Sequence, residues 1–298
     1  MPFEKIIGNE RVKETLVKLY KKDNISHSYI FLGIEGLGKK LIAKEFAKMI
    51  LCSEKQGLPC GKCKSCVQFE TGNHSDYINI EPDGVSIKIE QIRNMQMKVC
   101  ERPIVSNRKI YIIDDADKMT VESQNCLLKT LEEPPEYIII ILIVSNENTL
   151  LNTIKSRCSK IKFNKLMDKQ IKDFLMNQYG ISIVTSNSLK YFDGSIGKAV
   201  KIKDKLDDYS NLEDKILNIN KKNQLEFLNI KDFFTENREN INEILDYMIV
   251  IFFNMNNINF LKVINTIQET KDNLKVNLNF DMAIDNLLFK ICDYMEFK

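Results

Sequence analysis

Strand-like apolar runs alternate with helical spacing of apolar residues through the first 165 residues of the chain. Three short apolar runs predict buried strands: Tyr29–Leu32, Lys109–Asp114 and Tyr137–Val144. Apolar residues at helical spacing before and between these runs predict helices over 12–19, 41–51 and 120–131. The third run is almost wholly aliphatic, as parallel strands covered on both faces tend to be. The alternation predicts an α/β domain with a mostly parallel sheet.

After about residue 165 the strand pattern stops and helical spacing continues along the sequence. A glycine-containing break at 193–197 separates helices predicted over 166–179, 186–192 and 198–206. Two longer amphipathic helices are predicted over 241–252 and 282–294. We therefore predict an α/β domain over 1–165, a small helical domain over 166–206 and an all-α domain over 207–298.

The composition is that of an ordinary globular chain, 44% hydrophobic and 28% charged, with a formal net charge of +2. A chain so close to neutral does not bind nucleic acid through its overall charge alone. The apolar run Ile138–Val144 is far too short to cross a bilayer, and the start of the sequence has no secretory-signal pattern. We expect a cytoplasmic protein without a membrane span, in which the eight cysteines stay reduced.

A phosphate-binding loop is predicted directly after the first strand. Residues Gly33, Gly36, Gly38, Lys39 and Lys40 belong to a stretch that matches G-x-x-x-x-G-K between a strand and a helix. Glycines let backbone N–H groups surround a phosphate chain, and Lys39 can reach the terminal phosphates. Lys40 replaces the serine or threonine whose hydroxyl would bind Mg²⁺. The loop predicts nucleotide binding with impaired metal handling or the relic of a nucleotide site; a glycine-rich turn without nucleotide is the structural alternative.

Carboxylates end the second predicted strand, in the order Asp114-Asp115-Ala116-Asp117. In NTPases such a strand places acids beside the phosphate loop, so Asp114 would hold Mg²⁺ and Asp115 would activate the attacking water. Aspartate is one methylene shorter than the glutamate usual at that place, and a displacement of about 1 Å can cost ~10²-fold in rate. The pattern predicts a weakened NTPase centre; without the loop it would indicate only a solvated strand end.

Four cysteines lie within fifteen residues, at Cys52, Cys60, Cys63 and Cys66. Four thiolates are typical of a closed, tetrahedral Zn²⁺ site with a structural role, since no position stays open for catalysis. An iron–sulfur cluster is the alternative, because the spacing C-x2-C-x2-C occurs in such proteins too. We interpret the nearby His74 as a surface side chain, since four thiolates already complete the site.

Two further motifs accompany these features, Leu131-Glu-Glu-Pro-Pro and Ser156-Arg157-Cys158. With them the chain resembles the delta-prime subunits of the bacterial DNA polymerase III clamp loader and, beyond them, the gamma/tau motor subunits of the same AAA+ family. The resemblance implies an AAA+ P-loop domain with a zinc-knuckle insertion at 52–66, followed by a helical lid and an all-α collar. It also implies one place in a five-subunit ring that puts the sliding clamp on primed DNA.

The resemblance implies roles for individual residues as well. In the family, the arginine of the Ser-Arg-Cys motif enters the nucleotide site of a neighbouring motor subunit, so Arg157 would act in trans. Ser145 and Asn146 stand where the family carries its polar sensor of the γ-phosphate. Gly197 stands where the motor subunits carry a second-sensor arginine.

Lys40, Asp115 and Gly197 depart from the motor pattern together. Jointly they predict a stator subunit of the polymerase holoenzyme that binds ATP or ADP weakly or not at all and has no useful turnover of its own. The implied partners are the gamma/tau and delta subunits, with the sliding clamp and primer-template DNA met through the complex.

Two other functions stay open at this point. The chain would be an active gamma/tau-like ATPase if Lys40 and Asp115 are tolerated. It would be a zinc-dependent DNA-binding module if the cysteines present Lys55, Lys62 and Lys64 to phosphates.

Overall fold

A computed structural model of the chain describes residues 3–4, 6–54, 58–218, 230–255, 258–275 and 279–294. Parts of the predicted insertion and collar, including Lys55 and residues 219–229, lie outside the described residues. The chain divides into two compact units, Met1–Gln170 with Ser195–Gly197, and Ile171–Gly194 with Lys198–Lys298.

The first unit is built on a five-stranded parallel sheet. Its strands are β1 (Ser28–Leu32), β2 (Tyr77–Ile80), β3 (Lys109–Ile113), β4 (Ile138–Val144) and β5 (Ser159–Lys162). The helices are α1 (Glu10–Lys21), α2 (Lys39–Leu51), α3 (Lys64–Glu70), α4 (Ile89–Val99), α5 (Val121–Glu132) and α6 (Asn152–Lys155). The strand order is β2-β3-β4-β1-β5, and Tyr29 of β1 lies opposite Ile141 of β4 and Ser159 of β5. The predicted α/β fold with a parallel sheet is confirmed.

Helices cover both faces of the sheet. On one face Ile30, Tyr111 and Ile140 belong to a buried core that includes residues of α4 and α5. On the other face the Tyr29 ring meets the Phe46 ring of α2 edge-on, with the ring centroids 5.9 Å apart. Because β1, β3 and β4 are buried on both faces, nearly every residue in them is apolar, and this is the signal that predicts them from sequence.

The hydrophobic pattern does not predict the two edge strands. β5 reads Ser-Lys-Ile-Lys and is largely exposed, and only Ile80 of β2 is buried. An edge strand has a neighbour on one side only and carries polar side chains toward solvent, so it lacks a continuous apolar run.

The described residues that follow β5 form helices and turns. The helices are α7 (Asp168–Tyr179), α8 (Ser186–Phe192), α9 (Ile196–Lys201), α10 (Leu206–Leu217), α11 (Lys231–Glu236), α12 (Ile241–Asn254), α13 (Ile258–Lys275) and α14 (Phe280–Tyr294). The single helix predicted over 198–206 is wrong, because α9 ends at Lys201 and a 3₁₀ turn, Lys203–Lys205, precedes α10. The predicted break is also shorter than expected: Asp193 and Gly194, with φ of +50° and +79°, end α8, and α9 starts two residues later.

A buried carboxylate ties the helices of the second unit together. Glu213 of α10 accepts hydrogen bonds from Thr185 at 2.7 Å, Asn187 at 2.8 Å and the Tyr247 hydroxyl at 2.7 Å. The division into a lid over 166–206 and a collar over 207–298 stays a prediction, since most of both ranges falls in one compact unit. Across the part of the chain that the structure describes, no helix has the length and apolar character needed to cross a membrane.

Asp76 supplies a stability test of the first unit. Its fully buried carboxylate accepts the backbone N–H groups of Ile104, Val105 and Ser106 at 2.8 Å each. Asparagine at this position turns one acceptor into a donor, and an unsatisfied buried donor costs ~1–3 kcal/mol. We expect Asp76→Asn to lower the free energy of unfolding by ~2–3 kcal/mol, measured by urea denaturation of the full chain.

The control for this variant is Asp83→Asn, because the Asp83 side chain is 73% exposed. We expect no measurable change for the control. Equal stability of the Asp76 variant and the wild type would contradict the structural role of this carboxylate.

Candidate functional site

The loop between β1 and α2 has the backbone form expected of a phosphate-binding loop. Gly36 and Gly38 have φ of +78° and +81°, left-handed values that a residue with a Cβ atom adopts only with strain. Gly38 immediately precedes Lys39, the first residue of α2. The loop therefore leads into a helix N-terminus, where unpaired N–H groups favour an anion.

Lys39 is buried, at 5% exposure, and its amine is held by the loop itself. The amine donates to the Gly33 carbonyl at 2.5 Å, the Ile34 carbonyl at 2.8 Å and the Ser145 hydroxyl at 3.2 Å. Burial lowers the pKa of Lys39, and the negative charges of Asp117 and its neighbours oppose this shift. The structure thus brings the predicted residues Lys39 and Ser145 together.

A backbone contact covers the phosphate loop. The segment Ser195–Gly197 belongs to the same compact unit, and the Gly197 N–H donates to the Gly36 carbonyl at 3.0 Å. A Cβ atom on Gly197 would lie 2.6 Å from the Gly36 Cα, and one on Gly36 would lie 2.2 Å from the Ser195 Oγ. The two glycines permit this contact, and an arginine at position 197 does not fit against the loop as it stands.

Lys40 joins two carboxylates at the same edge of the sheet. Its amine lies 2.8 Å from the Asp114 Oδ2 and 2.5 Å from the Glu81 Oε1. Burial acts to lower the pKa of Lys40, but the hydrogen bonds and charges of the two acids outweigh it and raise the pKa. The same contact lowers the pKa of Glu81.

Glu81 is a functional residue that the sequence did not reveal. The available signal was an acid directly after an apolar-polar alternation, Tyr77-Ile-Asn-Ile. Because β2 pairs in parallel with β3, Glu81 and Asp114 follow the carboxyl ends of neighbouring strands and meet there.

Two other predicted residues have local partners. The Asp115 carboxylate pairs with Lys118, three residues further on, at 2.8 Å. The Asn146 side-chain oxygen accepts the Asn148 N–H at 3.0 Å, which caps a 3₁₀ turn. Among the described contacts, Ser145 therefore hydrogen-bonds to Lys39 directly, whereas the Asn146 side chain caps the 3₁₀ turn.

The residues beside the loop do not fit a bound Mg²⁺. An ammonium group stands where the metal-binding hydroxyl would be, and it engages the Asp114 Oδ2. The Asp114 Oδ1 accepts the Asp115 N–H at 3.1 Å. The glycine backbone is thus suited to phosphate, whereas the metal position is already occupied by a side-chain cation.

The four cysteines form one compact cluster at the end of α2 and the start of α3. The sulfur atoms of Cys52, Cys60, Cys63 and Cys66 all lie within 4.8 Å of one another, and those of Cys60 and Cys66 are 3.9 Å apart. Metal–sulfur bonds of ~2.3 Å in a tetrahedron place the sulfurs ~3.8 Å apart. The cluster therefore has the dimensions of a single four-coordinate ion. In a four-iron cluster each thiolate binds a different iron, so the four sulfurs would not surround one common point.

Backbone N–H groups point at the sulfur atoms. The N–H of Cys63 lies 3.3 Å from the Cys60 sulfur, and that of Cys66 lies 3.4 Å from the Cys63 sulfur. Burial opposes ionisation of Cys63, but hydrogen bonds to its own sulfur, including that from the Cys66 N–H, outweigh it and lower the pKa of the Cys63 thiol to about 6. Burial raises the pKa of the neighbouring Cys66 thiol to about 12. Thiolates are the metal-binding form of cysteine, so Cys63 is suited to bind a metal, whereas Cys66 would lose its proton on metal binding.

A buried network supports the cluster, and the interpretation of His74 as a surface side chain is wrong. His74 is 5% exposed, and its Nδ1 accepts the Asp76 N–H at 3.1 Å, so its Nε2 carries the proton toward the Ser65 hydroxyl at 2.9 Å. Ser65 in turn donates to the Leu51 carbonyl at 2.7 Å. Burial lowers the pKa of His74, and the charge of Asp76 opposes the shift.

Arg157 lies at the opposite edge of the sheet from the phosphate loop. Its carbonyl accepts the hydroxyl of Ser28, the first residue of β1, at 2.7 Å. The loop follows the other end of that strand, about 16 Å away at ~3.3 Å per residue. The Arg157 guanidinium pairs with Glu132 at 2.6 Å and donates to the Thr153 carbonyl at 2.9 Å.

Relatives of the chain are subunits of one replication machine. A family model described as "DNA polymerase III, delta subunit" matches residues 8–167. The DNA polymerase III subunit delta' of Bacillus subtilis is 38% identical over 192 residues, 64% of this chain and 58% of that protein. The subunit tau/gamma of Haemophilus influenzae is 34% identical over 200 residues, 67% of this chain and 28% of that protein. The matches thus span little more than half of the first relative and about a quarter of the second.

A solved structure shows the same fold. A DNA polymerase III gamma subunit-related protein from Thermotoga maritima aligns over 94% of this chain and 98% of its own, with a TM-score of 0.53 and 18% identity. The parallel sheet, the glycine loop and the helical second unit define an AAA+ P-loop protein. Since the family model covers more than half of the sequence, the chain belongs to the DNA polymerase III delta-subunit family.

The cysteine cluster generates a prediction about metal content. We expect the purified full chain to carry about one tightly bound metal ion, because four thiolates of this spacing form a closed tetrahedral site. Cys63→Ala removes one ligand and is expected to lose the ion, measured by elemental analysis. Cys100→Ala is the matched control, since Cys100 is exposed and lies outside the cluster. A metal-free wild type, or full retention by Cys63→Ala, would refute the site.

Proposed function

We propose that this chain is the delta-prime, or stator, subunit of a DNA polymerase III clamp loader. In this role it donates Arg157 to the nucleotide site of a neighbouring motor subunit and helps to load the sliding clamp onto primed DNA. The observation that carries the proposal is the position of Arg157, which lies at the amino ends of the strands, opposite its own phosphate loop. In addition, Lys40 stands at that loop where a metal would be required.

The position of Arg157 is compatible with delivery to a second subunit. Its side chain is 34% exposed, and that of its partner Glu132 is 48% exposed. An ion pair this open contributes only ~0–1 kcal/mol, so a phosphate of a neighbouring site can compete for the guanidinium. An arginine supplied in trans can raise phosphoryl-transfer turnover by ~10³–10⁵-fold.

The chain's own site supports the absence of useful ATP turnover. Lys40 takes the metal position, Asp115 pairs with Lys118 and Gly197 packs on the loop without a side chain. Each change removes a different part of a hydrolytic site. We therefore propose that the subunit binds ATP or ADP weakly or not at all.

The remaining features complete the proposed role. Zinc is the proposed occupant of the cysteine cluster, with a structural function. Residues 166–206 act as the lid and residues 207–298 as the collar that holds the subunit in the ring. Its partners are the gamma/tau and delta subunits, and through them the clamp and primer-template DNA, which makes the cytoplasm the proposed place of action.

Two observations keep other functions testable. The loop retains Gly36, Gly38 and the buried Lys39, which is what an active ATPase would need on the phosphate side. Lys62 and Lys64 beside the cysteines are exposed, as a DNA-binding module would require. Lys55, the third lysine of that hypothesis, lies outside the described residues.

The test compares two variants of this subunit in the reconstituted clamp loader. We expect Arg157→Ala to reduce clamp- and DNA-stimulated ATP turnover at least ~10-fold, because it removes transition-state stabilisation from a neighbour's site. We expect Lys39→Ala to change turnover little, because the loop of this subunit is not hydrolytic. Steady-state ATP hydrolysis by the complete complex is the measurement.

Lys155→Ala is the control for loss of a nearby cation, and gel filtration verifies that each variant still assembles. If Lys39→Ala abolishes turnover and Arg157→Ala does not, the chain is a motor. Salt-sensitive DNA binding by the isolated chain that is lost in Cys63→Ala would favour the DNA-binding module.

A further inference from the structure

The carboxylates next to the phosphate loop already have a cation. The Lys40 amine lies between Asp114 and Glu81, at 2.8 and 2.5 Å. One positive charge thus faces two negative charges at the point where the second strand of an NTPase supplies its metal-binding acid.

Several structural elements position the two acids that contact Lys40. Glu81 is oriented by the Asn79 side chain, which donates to its Oε1 at 2.6 Å, and by the Gln91 side chain, which donates to its carbonyl at 2.8 Å. Asp114 is anchored by its own N–H, which donates to the Ile80 carbonyl at 2.9 Å. The two acids are therefore held toward Lys40 by both strands and by α4.

A divalent ion at Asp114 would meet the Lys40 ammonium at close range. The two cations would repel each other, and the site has no hydroxyl at position 40 to serve as a ligand. If the Lys40 ammonium moves away, the Asp114 carboxylate loses its cationic partner, and its side chain is only 17% exposed to water. The metal and the lysine thus compete for one carboxylate.

We propose that Lys40 is a built-in replacement for the divalent cation of this loop. Mg²⁺ has no site at Asp114, and it does not strengthen the binding of a polyphosphate that enters the loop. Lys40 then determines that this subunit does not use metal-bound nucleotide. This role of Lys40 concerns the chain's own loop and does not depend on the proposed role of Arg157.

The test uses the full chain with its cysteine site loaded and compares the wild type with Lys40→Thr, which restores a hydroxyl. Binding of Mn²⁺ alone is followed by the loss of the free-ion paramagnetic resonance signal. Binding of ADP is measured by calorimetry without added divalent ion and again in excess Mg²⁺, so that the metal of the cysteine site is kept in both titrations. Lys40→Thr/Asp114→Asn shows whether any new metal site uses Asp114.

We expect the wild type to show no Asp114-dependent Mn²⁺ site and no gain in ADP affinity from Mg²⁺. In Lys40→Thr, a Mn²⁺ site or a Mg²⁺-dependent gain of at least ~10-fold in ADP affinity should appear. Either gain should vanish in the double variant. Lys40→Arg keeps the cation and should behave as the wild type, and Lys44→Thr removes an exposed lysine of the same helix as a control.

Two results would overturn the proposal. One is a wild type in which Mn²⁺ binds, or Mg²⁺ tightens ADP binding, in a manner that Asp114→Asn abolishes. The other is a folded Lys40→Thr variant, judged by circular dichroism, that acquires metal dependence in neither titration.

Discussion

The common direction of the five strands is the constraint on which the arrangement of functional groups depends. Parallel strands bring all their carboxyl ends to one edge of the sheet, so the phosphate loop, Glu81, Asp114 and Ser145 meet there. The amino ends meet at the other edge, where Ser28 holds the backbone of Arg157. The same geometry that assembles a nucleotide-type site on one edge thus removes Arg157 from it. The proposed role of Arg157 toward another subunit rests on this separation.

The polar groups around the phosphate loop have their hydrogen-bond and ion-pair partners within the chain itself. Lys39 donates to loop carbonyls, Lys40 pairs with two acids and Gly197 packs its backbone on Gly36. Burying a lysine amine is unfavourable unless it is paired, and the buried Lys39 amine has its partners within the protein. This internal satisfaction explains how the chain keeps the form of a P-loop protein without the ligand set for a metal ion.

The cysteine insertion is connected to the same sheet by a buried polar network. Ser65 of α3 contacts His74, which contacts the backbone of Asp76, and the Asp76 carboxylate holds residues 104–106 before β3. A metal at the cysteines would therefore stabilise not only the cysteine insertion but also the segments that this network joins. It would fix the entry into β2 and β3, the two strands whose ends supply Glu81 and Asp114.

The central strands, the phosphate loop and the cysteine cluster can each be predicted from the residue pattern alone. Buried parallel strands need continuous apolar runs, the loop needs glycines at fixed offsets, and metal ligands lie close along the chain. The partners of isolated polar residues, in contrast, depend on how the chain folds. Glu81 lies 41 residues from Lys40 and His74 lies 9 residues from Ser65. Strand β2, which lies between His74 and Glu81 in the sequence, gives too weak an apolar signal to be predicted. Their roles arise from which strands and helices become neighbours, and that depends on packing across the whole domain.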